Sequence, residues 1–185
     1  PEAPHMQRAR DAILLHGGAA KANVFTRIAL ALFQQVPWRA VPVMRVEAML
    51  MPRWSPFHVD KISYWSRTVM VPLLILAVLK PKAKNPKQVN IKELFVRPAH
   101  DEDEDMVNPT GHLIGTICLG IDRISNVVEL LFPSSIEKNA IKKALDFIGP
   151  RVNGDDGLGA IFPAMANTVM AYYALGYPRD HPDYV

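Results

Sequence analysis

Apolar residues recur along this chain three and four positions apart, with glycine and proline between the runs and no convincing alternation of apolar and polar positions. The pattern predicts an all-α protein. A first helix is expected over about Gln7 to His16, where Gly17 and Gly18 suit a left-handed end. A second is expected from about Ala20 to Gln35, with Val24, Ile28, Ala31 and Leu32 at core-facing spacing, stopping before Pro37 and Trp38. The proline-punctuated stretch from Pro37 to Phe57 reads as loop, with a short helical piece near Val46 to Met51.

The next run, DKISYWSRTVMVPLLIL, starts amphipathic and turns almost wholly apolar. It predicts a helix over Asp60 to Leu79 that Pro72 should bend or divide. From Lys80 to Val107 the chain is polar and proline-punctuated, too long for a simple turn, which marks a functional or mobile connection. Asn108 and Pro109 suit a helix start, a side-chain cap followed by proline at the first position, and this helix should reach about Phe132. Ser135 would cap another, Ile136 to about Phe147, and a last one should run from Phe162 or Pro163 to Leu175, closed by Gly176 and Pro178.

RARDAI (Arg8 to Ile13) and KKALDFI (Lys142 to Ile148) echo each other, and each precedes a glycine-rich turn and a second apolar helix. Paired helices repeated in this way are how helical arrays and α/α barrels are written, because each pair needs neighbours to cover its apolar face.

Length and composition add limits. At 185 residues the chain can bury one sizeable core, and its start at Pro1 leads us to expect a piece of something longer. Hydrophobic residues at 49% and charged residues at 21% argue against disorder, and a net charge of +3 permits an anionic partner without demanding one. The single cysteine, Cys118, excludes a disulfide framework within the chain and reads as a buried, inert thiol. The longest apolar run, Val69 to Leu79, has eleven residues and contains Pro72, against the roughly 20 that a spanning helix needs, so no membrane crossing is expected.

Candidate chemistry is sparse. The acidic run His100 to Asp105 matches the first three positions of a calcium loop, but Met106 and His112 stand where its glycine and glutamate belong, so it reads as a solvated loop. Asp155 and Asp156 lie between glycines and read first as a turn. The histidines form no metal-binding pair, and no phosphate-binding or nucleophile motif occurs. Lys80, Lys82, Lys84 and Lys87 form a ladder without interleaved aromatics, which argues against nucleic acid and fits anionic headgroups, a plain solvated loop being the alternative. Trp65 reads either as core filler or as an aromatic wall facing a cation, and spacing does not decide between the two.

Longer stretches do carry a resemblance. GGAAKANVFTRIALALFQQVPWRAVPV, PRWSPFHVDKISYWSRTVMVPLLILAVLKPKAKNP and NGDDGLGAIFPAMANTVMAYYALGYPRDHPDY resemble, in the same order, consecutive segments of bacterial squalene-hopene cyclases of the terpene cyclase/mutase family. The resemblance implies part of an α/α barrel, residues 1–185 being a portion of the N-terminal half with a long loop at 80–107. It implies an isomerase that protonates squalene and closes it to hopene or hopanol, without cofactor or metal. The acid of that chemistry belongs to a D-x-D-D-T motif, which this chain lacks, so no catalytic residue is assigned and the piece alone should be inactive.

Carried over by position, Trp65, Phe25, Ile161, Phe162 and Pro163 match cavity-lining residues, and Ile62 and Met70 match positions near the substrate entrance. Arg67 should satisfy carbonyls or carboxylates behind Trp65. The resemblance also implies attachment to one leaflet of the bacterial cytoplasmic membrane without spanning it, with Asn126 to Phe132 as a candidate plateau, and leaves room for a homodimer of the longer protein. Arg151 and Leu158 stand where the family's QW repeat has glutamine and tryptophan, so a looser staple is expected, and Gly149 and Pro150 interrupt a helix end. Two rivals remain: a related cyclase acting on another linear terpene or an oxidosqualene-like molecule, and a non-catalytic helical-repeat binding module.

Overall fold

A computed structural model describes residues 3–41, 45–55, 58–99, 134–152 and 154–184. Among them are five α-helices: α1 (Pro4–Leu15), α2 (Val24–Leu32), α3 (Tyr64–Leu79), α4 (Ser134–Ile148) and α5 (Phe162–Ala174), joined by short 3-10 turns and irregular chain. No strand occurs among the described residues, as an all-α chain requires. The helix expected from Asn108, Cys118, the acidic run and the Asn126 to Phe132 plateau all lie outside the described residues. The chain divides into two compact units, one of residues 1–42 and 81–119, the other of 43–80 and 120–185.

In the first unit, Asn23 starts α2 as its side chain accepts a hydrogen bond from the Thr26 N–H at 3.0 Å. Ile28, Ala31 and Leu32 are its buried face. Both helices end alike. After α1, the Gly18 N–H reaches back to the Ile13 carbonyl at 2.8 Å and Gly17 to Leu14 at 3.0 Å; after α2, Gln35 reaches Leu30 at 2.8 Å and Gln34 reaches Ala31 at 3.0 Å. The left-handed residue is Gly17 in the first case but Gln34, φ +60°, in the second. α2 therefore stops short of the expected Gln35.

Residues 81–99 are irregular, apart from a 3-10 turn at Lys92–Leu94, but they are tied down. Ala83 donates its N–H to the Leu32 carbonyl at 2.8 Å, and the Gln35 side-chain oxygen accepts from the Ile91 N–H at 3.1 Å. Asn85 bonds both the N–H and the carbonyl of Val89, at 3.0 and 2.7 Å.

α3 is the axis of the second unit. It packs on α5, on α4 and on the 3-10 turn Val46–Leu50, and α4 covers that turn too. Its second half buries Val71, Pro72, Leu73, Leu74, Ile75 and Leu76, as a helix apolar on all sides must. The helix runs on through Pro72, which neither divides it nor leaves the core. Burial of these side chains, roughly 1.5–3 kcal/mol for each large one, is the same order as the 3 kcal/mol or so that an internal proline costs. α3 starts later than the apolar pattern predicts: Val59–Lys61 form a separate 3-10 turn, and Ser63 then caps α3 by accepting from the Ser66 N–H at 3.3 Å.

α4 buries Ala140, Ile141, Ala144 and Ile148, and α5 buries Ala164, Thr168, Ala171 and Tyr172. Gly149–Arg151 turn as a 3-10 piece immediately after α4. Gly176, φ +81°, closes α5 with the same pair of bonds seen in the first unit, Tyr177 to Tyr172 and Gly176 to Tyr173, each 3.0 Å. Tyr177 then stacks on Tyr172 with ring centres 4.8 Å apart, and His181 meets Tyr177 edge-on at 4.7 Å.

Candidate aromatic site on the second unit

Trp65 sits in the first turn of α3, where the helix is still two-faced. One helical turn on, Thr68 is wholly buried and donates its hydroxyl back to the Trp65 carbonyl at 2.8 Å. The indole itself is 58% exposed, although an aromatic of this size ordinarily contributes most when covered. One edge of it is not free. A Cβ added to Gly159 would lie 2.9 Å from Cζ3 and 3.3 Å from Cη2 of Trp65, so the ring rests directly on the Gly159 backbone. Tyr64 meets the indole edge-on, with ring centres 6.3 Å apart.

The segment that supplies Gly159 is unusual. Leu158, Gly159 and Ala160 all have positive φ, +53°, +71° and +56°, and the two that are not glycine are strained there by roughly 1–2 kcal/mol each. Leu158 is buried at 2% exposure and anchors the segment. Ile161 and Phe162 follow, Ile161 half-buried and Phe162 75% exposed at the start of α5, with Pro163 exposed beside it. Trp65 thus rests on the turn Gly154–Ala160, which directly precedes Ile161, Phe162 and Pro163.

The other assigned residues are placed differently. Ile62 is half-buried just before α3. Met70 is half-buried on α3, but five residues past Trp65 is about 140° round a helix, on another face. Phe25 is 57% exposed in the first turn of α2 and belongs to the first unit.

Charge gathers behind the aromatic pair. Arg67 donates from Nη1 to Asp60 Oδ1 at 2.7 Å, as expected of an arginine satisfying a carboxylate. Asp60 also faces Arg53 Nε at 3.6 Å, and the buried His58 accepts the Asp60 N–H on Nδ1 at 3.0 Å. Arg151, which sequence reading gave only as a missing glutamine, is a structural residue. It donates from Nη1 to the Phe147 carbonyl at 2.6 Å, lies 3.8 Å over the Phe147 ring and 5.8 Å over Tyr64. The end of α4 is therefore closed by a cation on the Phe147 carbonyl. Its partners lie on two elements, Phe147 four residues back on α4 and Tyr64 on α3, and the second of these has no signal in the residue pattern.

Among the described residues, one open cavity of about 890 Å³ lies in the first unit beside Trp38 and Phe95, and another of about 490 Å³ in the second beside Met51, Arg53 and Phe147. Trp65 lines neither of these two; its ring is exposed at the surface of the second unit. No group of metal-ligating side chains gathers among the described residues. Nor is any helix among the described residues long and apolar enough to cross a membrane.

A family model for the squalene-hopene cyclase N-terminal domain matches residues 1–185. A squalene-hopene cyclase of Bradyrhizobium diazoefficiens is 52% identical over 182 residues, 98% of this chain and 28% of that protein. One from Zymomonas mobilis is 48% identical over 183 residues, 99% of this chain and 27% of its own length. A dammaradiene synthase of Dryopteris crassirhizoma is 25% identical over 182 residues, 98% of this chain and 26% of its own. The chain thus spans little more than a quarter of the length of these curated relatives.

Proposed function

The chain belongs to the squalene-hopene cyclase N-terminal domain family, and with it to the α/α-barrel fold of the terpene cyclases; from this premise we propose that it is the N-terminal part of an enzyme that cyclises squalene to hopene or hopanol. Residues 1–185 act in this reading as one continuous portion of the N-terminal half. The observation that carries the reading is the Trp65 indole, more than half uncovered yet braced along one edge, in a chain of this family. Squalene offers no charge and no hydrogen-bonding group, so its enzyme must select by shape and hold the cations formed on cyclisation against π faces. In this reading Trp65, Ile161, Phe162 and Pro163 supply such surface on the second unit, Phe25 supplies it on the first, and Ile62 and Met70 belong to the entrance. The proton donor is not in this chain, which contains no D-x-D-D-T.

A hydrocarbon insoluble in water arrives from the bilayer, so we place the whole enzyme on one leaflet of the bacterial cytoplasmic membrane, as a monomer or homodimer, with the lysine ladder among the headgroups.

The test uses the full-length protein with Trp65→Ala and squalene, its products separated by mass spectrometry. A desolvated cation–π contact is worth about 2 kcal/mol or more, so cyclisation should slow roughly thirty-fold or release partly cyclised products. An unchanged rate and product pattern removes Trp65 from the reaction. A product other than hopene or hopanol would favour a cyclase of different outcome, as the relation to dammaradiene synthase allows.

A further inference from the structure

We propose that Gly159 is a positioning residue of the cyclisation: it sets how far the Trp65 indole projects, and its lack of a side chain is a requirement of the ring rather than of the turn alone. This rests on the reading of Trp65 as a substrate-facing residue. A positive φ of +71° already favours glycine at 159, but Leu158 and Ala160 hold +53° and +56° in the same segment without being glycine. Backbone conformation by itself therefore does not single out position 159. Contact does: a Cβ there would meet Trp65 Cζ3 at 2.9 Å, closer than real Cβ atoms come, whereas at Gly149 and Gly176 an added Cβ would meet nothing within 4 Å.

The three left-handed residues place a bare patch of backbone against the outer edge of the indole, and Leu158, buried at 2% exposure, keeps the patch from retreating. With Thr68 bonded to the carbonyl at its base and Tyr64 against its edge, the ring is held from three directions. An added methyl would have to push the indole outward, toward the space the substrate occupies, since the buried core behind Leu158 leaves little room for the segment to give. For reacting carbons that must stack on a ring face, a shift of a few tenths of an ångström to an ångström alters rate and partitioning by up to about a hundredfold.

The test is a double-substitution cycle in the full-length enzyme: Gly159→Ala, Trp65→Phe and both together, read as product ratios from squalene and as Tm. Phenylalanine ends short of the indole edge that touches Gly159. Gly159→Ala alone should raise by-products relative to the main product by about tenfold. In the Trp65→Phe background it should add little, and the Tm it lost should partly return. If the two changes multiply independently in products and Tm, Gly159 serves the backbone only and the proposal falls. Should Gly159→Ala prevent folding, failure of Trp65→Phe to restore the protein overturns the proposal equally, and restoration supports it. Were Trp65→Ala itself to leave products unaltered, the functional reading would fail first and take this one with it. Altered products in Trp65→Ala without coupling to residue 159 sink the positioning role alone.

Discussion

Tyr172 shows how one buried side chain ties stability to pH. It is 1% exposed at the end of α5, and burial first, then the nearby Asp183 carboxylate and Tyr177, push its phenol up from 10 to about 12. A phenol with a raised folded-state pKa keeps its proton in the native protein after the unfolded chain has lost it. Its contribution is therefore complete below pH 10 and disappears as pH climbs toward 12, on the order of 2 kcal/mol across that window. In urea titrations at a series of pH values, the difference between wild type and Tyr172→Phe should shrink between pH 10 and pH 12. A difference that stays constant would mean that Tyr172 ionises no harder in the native protein than in the unfolded one.

At the level of elements, the apolar spacing located α1, α3, α4 and α5 to within a few residues, because helix faces and glycine stops are local properties. The end of α2 was not legible. Gln34 adopts the left-handed conformation that Gly17 and Gly176 adopt elsewhere, and no residue preference marks a glutamine for that role. Gln34→Gly should accordingly raise stability by about 1 kcal/mol, measured as an upward shift of the denaturation midpoint; a drop would show that the Gln34 side chain outweighs its backbone strain. The start of α3 was missed for a different reason, since His58 and Ser63 cap two successive pieces and the apolar pattern cannot tell a 3-10 turn from a first helical turn. As for the site, the residue types at 65 and 161 to 163 came through resemblance to the family. The Trp65–Gly159 contact and the approach of Arg151 to Tyr64 join positions far apart in the chain, and no local pattern encodes them.

On the scale of the whole molecule, family membership follows from long ordered stretches and not from any single motif, which is why it could be read before any coordinate was known. Membrane attachment is the molecular property we expect beyond it. Lys82, Lys84 and Lys87 are exposed on the segment 81–99, and each lysine near an anionic surface contributes about 1 kcal/mol. Full-length protein should sediment with phosphatidylglycerol-containing vesicles, and Lys82→Gln, Lys84→Gln and Lys87→Gln together should weaken that binding by roughly a hundredfold at low salt; equal binding by both proteins would remove the ladder from the membrane contact. The hydrogen bonds that the Asn85 and Gln35 side chains accept from the Val89 and Ile91 N–H groups bear on the strength of this attraction. A slack loop would forfeit backbone freedom, about 1–2 kcal/mol of entropy for every residue it had to order on landing, and could cancel the gain from its charges. Here the tethers at Ala83, Val89 and Ile91 fix part of that backbone on folding, so less of its freedom would be left to lose on adsorption.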